Sequence, residues 1–595
     1  MCGIICGVAN FDVVNNVLDG LKRLEYRGYD SAGISVISKG ELKTIKKVGK
    51  VESLANEASS LSGNIAISHT RWATHGPATS NNAHPQFLDN TAWVHNGIIN
   101  NHSQIRTKLS TQGFDFKSDT DTEVMGTLFA SILEQDPLQA LQNCYKEFSG
   151  SFAWGLIDLR FQEKIFFATK DSPLVLGVHP NGHFLASDPL ALLGVCDSFY
   201  FIKSGTIGWC SASDYETLEV ETLKPVVINA QNIVLPAQAN QEKNQKHYML
   251  QEIYEQPDAV SRFLNIFWHE DAPSKELNSI LSKLHDNIQM IQTIGCGSSY
   301  FASLIGKFWF NAWSDWMVSC DIASEFKDVD INNNVCSLLL ALSQSGETAD
   351  TISAFNKKQN YALKMSLCNV KHSTLARSSD ILLPIYAGPE IGVASTKAFT
   401  NQMLALLVLS LAKKPKNEVS KLIKLIPEIL RETIKLEPII AKIANQLKHE
   451  DKMLFLGRGV LYPTALEGAL KMKELSYIHA HAYPAGELKH GPLALIDDQL
   501  VTIGLLNEGL NRSKTIANFR EIQARQGRLV VFYEGSNNDL QHLHLEHSLQ
   551  VPSLHPLLSP FCFSLCLQLF AYHLANSLGK DVDQPRNLAK SVTVE

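Results

Sequence analysis

The sequence predicts an α/β multidomain protein, in which one mixed α/β domain precedes two tandem parallel-sheet domains. Three observations carry this prediction. The chain has 595 residues, and a single hydrophobic core stops growing at about 250–300. Residues 2–215 hold many short β-type runs, such as Ile65 to Ser68 and Phe152 to Ile157, broken by Gly and Asn turns, which is the pattern of one mixed domain. The remainder repeats itself. Ile294-Gly-Cys-Gly-Ser-Ser-Tyr300 aligns with Leu456-Gly-Arg-Gly-Val-Leu-Tyr462 at an offset of 162 residues, and the same offset pairs Leu304 with Leu466 and Gly306 with Gly468. Each copy reads as a short apolar strand, a Gly-x-Gly turn and a helix, so two parallel sheets covered by helices are expected.

Between these parts, 216–246 loses its period, carries Pro225 and Pro236, and ends in the polar run Gln238 to Gln245. It reads as a linker. The repeats then occupy 247–435 and 436–580, and 581–595 forms a tail. The composition, 45% hydrophobic and 19% charged, suits several packed cores and excludes a disordered chain. A net charge of -7 without a basic run argues against a nucleic-acid partner. Eleven cysteines without a C-x-x-C pair fit neither a disulfide framework nor a zinc knuckle, and point to a reducing, cytoplasmic setting. The amino terminus lacks the charged flank of a secretory signal. The most apolar run, Met403 to Ala412, falls well short of the ~20 residues of a membrane span and reads as a buried helix. The Gly-x-Gly turns lack the third Gly of a dinucleotide fingerprint, and no His or Cys cluster has metal spacing, so neither a cofactor nor a metal is expected.

Chemistry begins at Cys2. Removal of Met1 would leave a thiol beside a free α-amine of pKa ~7.7–8.0, a pair able to generate a thiolate nucleophile. Polar blocks at irregular spacing follow: Arg71-Trp-Ala-Thr-His-Gly76, Ala83-His-Pro85, His95-Asn-Gly97 and Ser118-Asp-Thr-Asp121. Asn96 and Gly97 can supply a side-chain and a backbone donor to an oxyanion, although Asn-Gly is also an ordinary hairpin turn. Arg71 and Asp121 suit the α-carboxylate and α-ammonium of a glutamine substrate, or stand as plain surface charges. Together with Cys2-Gly-Ile4 and Leu24 to Gly33, these blocks closely resemble the class II glutamine amidotransferase domain of the N-terminal nucleophile hydrolases. That resemblance implies a four-layer αββα sandwich in which Cys2 forms a γ-glutamyl thioester and releases ammonia. It further implies that Arg71, Thr74, His75, His84, Gly97 and Asp121 hold glutamine, and that Trp72 gates the ammonia's route.

In the first repeat, the strand Ser337 to Leu342 runs into Ser343-Gln-Ser-Gly-Glu-Thr348, placing hydroxyls and backbone N–H groups where a phosphate can sit. A helix cap would use the same residues. The second repeat has Asn507-Glu-Gly509 there and lacks the hydroxyls, so only the first copy is expected to hold phosphate. The second repeat offers acid–base groups instead. Lys471 and Glu474 share a helix face, as a surface salt bridge also would, and Gly486 to Pro492 reads as a loop presenting His490. Lys590, in the tail, can form an imine with a ketone.

These blocks resemble paired sugar isomerase (SIS) domains, and nearly the whole chain resembles the glucosamine-6-phosphate synthase family. The resemblance implies conversion of fructose 6-phosphate and L-glutamine to glucosamine 6-phosphate and glutamate, the first step of amino-sugar synthesis, with ammonia channelled between two sites. Cys296, Gly297, Ser298, Ser299, Ser343, Gln344, Ser345, Thr348, Val393, Ser395 and Ala589 would bind the sugar phosphate. His490 would open the ring, Lys590 would hold the ketone, and Glu474, beside Lys471, would move the proton from C1 to C2. A homodimer is implied, in which the neighbouring subunit lends the His490 loop. Position 298 is Ser where the family pattern has Thr, and the interdomain segment is short. Two other readings stay open: a sugar-phosphate sensor with an inert amino-terminal domain, and an aminotransferase for a related ketose phosphate.

Overall fold

The computed structural model describes residues 2–231, 244–284, 287–329, 335–358, 360–412 and 418–593. Contacts divide the chain into two units, Met1–Asn240 with Ser591–Glu595, and Gln241–Lys590.

The first unit contains two antiparallel sheets, one of eight strands and one of six. Alternation along single strands makes its layers, because successive side chains leave a strand on opposite faces. In Gly3–Ala9, Ile4, Cys6 and Val8 join the core shared with Val94, Ala153 and Phe167 of the six-stranded sheet, whereas Ile5 faces Val17, Leu21 and Leu54 of the helices Val14–Arg23 and Val51–Ala58. In Thr91–Ile99, Ala92 and Val94 face the other sheet, and Trp93 packs on Val124 and Phe129 of the helix Asp121–Ile132. The result is helix, sheet, sheet, helix, the αββα order.

The polar segment read as a linker is partly sheet. Tyr215–Glu219 pairs with Thr206–Cys210, Val226 N donates to Thr217 O at 2.8 Å, and Ala230–Gln231 pairs with Ser198–Ile202. These are strands at the sheet edges, paired on one side only, that need little apolar content, so composition understates them. The rest of that expectation, 232–243, lies outside the described residues.

The second unit holds two five-stranded sheets, every pairing parallel. In both, the first strand in sequence lies between the second and the third. The repeat is therefore topological. It also extends to detail. The second Gly of each Gly-x-Gly turn takes a positive φ, +53° at Gly297 and +56° at Gly459, where a side chain is disfavoured. Gly306 and Gly468 each admit a neighbouring helix, since a Cβ would lie 2.9 Å from Leu406 Cδ1 at the first and 2.6 Å from Leu567 Cδ1 at the second. Those neighbours, Lys397–Leu411 and Ser559–Ser577, are almost wholly buried. No helix among the described residues is long and apolar enough to cross a membrane.

Candidate active site

In the first unit, a small recess is lined by Cys2, Arg71, Trp72, Thr74, His84, Gly97 and Asp121, together with His95, Thr120 and Thr122. Cys2 immediately precedes the central strand Gly3–Ala9, which pairs with the strand Ile65–Arg71 that carries Arg71 at its end. Cys2 Sγ donates to Trp72 O at 3.7 Å. Burial pushes the thiol's pKa up, against the pull of the Arg71 charge. Asn96 Nδ2 donates to Cys2 O at 2.9 Å. Asn96 and Gly97 lie inside the strand Thr91–Ile99, paired with Ala153 and Phe152, so the hairpin-turn alternative does not apply. Gly97 has φ +127°, and a Cβ there would lie 2.0 Å from Ser151 O.

Arg71, almost wholly buried, donates to the carbonyls of Pro77 and Gly76, each at 3.2 Å, and to that of His75. It therefore shapes the 75–77 loop as well as charging the recess. Asp121 accepts from Ile99 N at 2.9 Å and Thr122 N at 3.0 Å, and His75 Nδ1 is 3.9 Å from it. Thr74 Oγ1 contacts His75 Nδ1 at 3.2 Å. His84 is buried, with Nδ1 3.2 Å from His69 Nε2, which in turn bonds His95 O at 2.9 Å. Burial lowers the pKa of His69, His84 and His95, which favours neutral rings at His84 and His95 in the wall of the recess and at His69 behind His84. His69 and Thr122 escape a motif search because they sit in an ordinary strand and an ordinary helix.

In the second unit, the two Gly-x-Gly strands and the strands beside them deliver loops at a switch point, where ligands of parallel sheets bind. After Met290–Gly295 come Cys296, Gly297, Ser298 and Ser299, and after Ser337–Ser343 comes the 344–348 loop. Ser343 Oγ contacts Thr348 Oγ1 at 3.0 Å and accepts from Gly346 N at 2.9 Å, while Ser345 Oγ accepts from Glu347 N at 3.1 Å. Gln344 is held through its carbonyl by Asn369 N at 3.1 Å. Ser299 Oγ accepts from Gln402 Nε2 at 3.0 Å, and Cys296 Sγ lies 3.8 Å from Thr351 Oγ1.

The two repeats meet at Ser298, whose hydroxyl donates to Glu467 Oε1 at 3.0 Å. Glu467 belongs to the helix Leu461–Ser476, where Lys471 Nζ is 3.5 Å from it and 2.6 Å from Glu474 Oε2. Lys471 and Glu467 are each 1% exposed and Glu474 21%, so this is a buried array and not a surface salt bridge. Burial pushes the Glu467 carboxyl up to about 7 against the pull of Lys471. Burial also opposes the Lys471 ammonium, but the charges of Glu467 and Glu474 prevail and raise its pKa, with Glu390 adding to them.

Lys590 reaches Glu390 Oε2 at 2.5 Å, and Ser395 Oγ donates to the same oxygen at 3.4 Å. The tail is held from Asp583, whose carboxylate accepts from Tyr248 N and Met249 N at 3.0 and 2.9 Å and whose carbonyl accepts from Val393 N at 3.0 Å. Ala589 is half-buried beside Lys590. The segment read as a loop is instead 3-10 helix, Ala485–His490 and Pro492–Leu495, because Ala485 and Leu488 anchor it in a core. His490 is exposed, and among the described residues no hydrogen bond or ion pair joins it to Lys471, Glu474 or Lys590. Glu390, Glu467 and Gln402 are additions that only the fold brings to this site. Among the described residues no group of three or more His, Cys, Asp or Glu side chains is arranged to hold a metal.

Residues 69–194 match the glutamine amidotransferase domain family, and 286–412 and 446–577 each match the SIS domain family. A glutamine–fructose-6-phosphate aminotransferase (isomerizing) of Acinetobacter baylyi is 40% identical over 621 residues, covering 100% of both chains. Its counterpart in Legionella pneumophila strain Paris is 41% identical over 613 residues, again with 100% of both covered. The solved C-terminal domain of glucosamine-fructose-6-phosphate aminotransferase from Francisella tularensis is 39% identical, with a TM-score of 0.54 over 57% of this chain and 99% of that one. With two sites of these chemistries and likeness along its whole length, the chain belongs to the glutamine–fructose-6-phosphate aminotransferase (isomerizing) family.

Proposed function

We propose that the chain transfers the amide nitrogen of L-glutamine to fructose 6-phosphate, giving glutamate and glucosamine 6-phosphate. The observation that carries this reading is the buried Glu467, Lys471 and Glu474 array bonded to Ser298 beside a hydroxyl-rich switch-point loop. A site that only sensed a phosphosugar would have no use for a charged array that costs several kcal/mol to bury.

Cys2, freed of Met1, attacks the glutamine amide while Asn96 and Gly97 receive the oxyanion, and Arg71 and Asp121 address the α-carboxylate and α-ammonium. Trp72, Thr74, His75 and His84 complete that site. Ser298, Ser299, Ser343, Gln344, Ser345 and Thr348 hold the phosphate, with Cys296, Gly297, Val393, Ser395 and Ala589 around the sugar. Lys590 takes the ketone as an imine, ammonia displaces it, and Glu474, ion-paired to Lys471 at 2.6 Å, carries the proton from C1 to C2. His490 is exposed, and among the described residues no hydrogen bond or ion pair joins it to Lys590, which favours a homodimer in which the partner subunit's His490 opens the sugar ring. Ammonia in water is mostly protonated and lost as a nucleophile, so its transfer without mixing with solvent belongs to the same reading.

The test is purified protein given amide-labelled glutamine and fructose 6-phosphate. Labelled glucosamine 6-phosphate is expected, and Cys2→Ala abolishes glutamate release while sparing sugar binding. Glutamate without amino sugar, or sugar binding without turnover, refutes the reading. Efficient competition by unlabelled ammonium refutes the protected transfer.

A further inference from the structure

The mechanism above asks Lys590 to act as a neutral amine, yet its nitrogen is buried and ion-paired. The side chains of Lys590 and Glu390 are 4% and 0% exposed. Glu390 divides its two oxygens between tasks. Oε1 accepts from Thr396 N at 2.9 Å and Ala398 N at 3.0 Å, the first amides of the helix Lys397–Leu411. Oε2 faces Lys590 and Ser395. The carboxylate is thus fixed to the positive end of a 15-residue helix, which favours its charge, and presents its other oxygen to the tail.

A second acid stands behind it. Glu252 Oε1 accepts from Ile391 N, and from Gly392 N at 3.2 Å, while Oε2 is buried and has no hydrogen-bond partner. Burial and the charge of Glu390 push Glu252 up to about 8, whereas Glu390, opposed by burial, is held below the usual carboxylate range by Lys590 and the helix amides. Two acids therefore share the pocket in different protonation states, as in other sites where one group must stay charged. The remaining charges that act on this pair are Lys397, ion-paired to Glu255 at 2.6 Å, and Lys471.

We infer that Glu390 is the residue that docks Lys590 and takes its proton when the sugar ketone arrives. One N–H bond of the Lys590 ammonium breaks and its proton passes to Glu390 Oε2. The freed lone pair forms a C–N bond at C2 of the open-chain sugar, and the C=O electron pair moves to oxygen. A proton moves from nitrogen to that oxygen, and the hydroxyl then leaves as water with the proton held by Glu390. The product is a protonated imine facing a restored carboxylate. This rests on the reading of Lys590 as the imine-forming lysine.

The experiment traps the imine with fructose 6-phosphate and sodium cyanoborohydride in the full-length protein, measuring the adduct on Lys590 by mass spectrometry. Glu390→Gln keeps an amide oxygen for Thr396 and Ala398 but removes the proton acceptor. In the unsubstituted protein the trapping rate should be flat from about pH 6 to 7, below the range in which Glu252 ionises, because the proton moves within the pair. In Glu390→Gln it should fall at least about tenfold at pH 7 and then rise with pH, because the proton must leave for solvent. Glu390→Asp keeps a carboxylate and should restore the flat profile at a lower rate, and it serves alone if the Gln variant does not fold. A Gln variant within about twofold of the unsubstituted rate, a flat profile in that variant, or a sloping profile in the Asp variant overturns the role of Glu390. If the unsubstituted protein gives no Lys590 adduct, the reading of Lys590 falls with it, and the two failures are thereby distinguished.

Discussion

Replacing Gly97 by alanine probes the glutamine site with one atom. The added Cβ would lie 2.0 Å from Ser151 O and 2.8 Å from Phe152 Cα, both backbone atoms of the paired strand Gly150–Asp158. An ordinary contact near 3.4 Å requires the two strands to part by roughly 1.4 Å, and overpacking of this kind costs about 1–3 kcal/mol. The φ of +127° adds strain of about 1–3 kcal/mol for a residue with a side chain. The total of about 2–6 kcal/mol lies mostly below the ~5–15 kcal/mol by which a domain is held folded, so relief will come by local strand displacement. That displacement carries Asn96 and the Gly97 amide away from Cys2. Losing one oxyanion donor lowers turnover about a hundred- to a thousandfold, and glutamate release should fall by that much. Gly113→Ala is the control: its φ is +93° and nothing lies within 4 Å of the Cβ, so it bears strain without a clash and should release glutamate normally. Glutamate release by Gly97→Ala within about threefold of the unsubstituted protein would refute the reasoning.

Glu467→Gln should change how stability depends on pH. The folded pKa of about 7 lies above the ordinary ~4.3, so the stability this carboxyl contributes is full below that ordinary value and is lost as pH rises through 7. The Gln variant therefore gains on the unsubstituted protein by about 3 kcal/mol between pH 5 and pH 8, read from urea unfolding at each pH, and parallel curves would contradict the assignment. Gly346→Ala, with φ +66° and a Cβ 2.0 Å from Ser373 Oγ, should weaken binding of fructose 6-phosphate at least about tenfold by calorimetry, and an unchanged Kd would remove that loop from the phosphate site. Gly468→Ala should lower the melting temperature more than Gly306→Ala, because its Cβ meets Leu567 at 2.6 Å where the other meets Leu406 at 2.9 Å. The costs fall within about 1–3 kcal/mol, and the reverse order would show that the helix contacts do not set them.

The duplication was legible because backbone geometry constrains single residues. Gly297 and Gly459 occupy the same left-handed turn, Gly306 and Gly468 the same close helix approach, and both pairs keep one offset along the chain. The hydroxyl loop from Ser343 to Thr348 and the motif after Arg71 were legible for a similar reason, since their residue types serve neighbours a few positions away. The extra strands at 215–219 and 230–231 were not, because short strands at a sheet edge keep a polar composition. The 3-10 turns bearing His490 were missed because Ala485 and Leu488 stand among Gly and Pro.

Local sequence thus determined where the proposed nucleophile Cys2, the hydroxyl loop after Ser343 and the tail lysine Lys590 stand along the chain. Tertiary structure alone decided which buried acids stand beside the sugar-site residues. Ser298 meets Glu467 across 169 positions and Lys590 meets Glu390 across 200, and a carboxyl's pKa is set by the burial and the charges around it in space. No pattern read along the chain contains those distances, so the acids that tune the sugar site appear only once the two repeats and the tail have packed together.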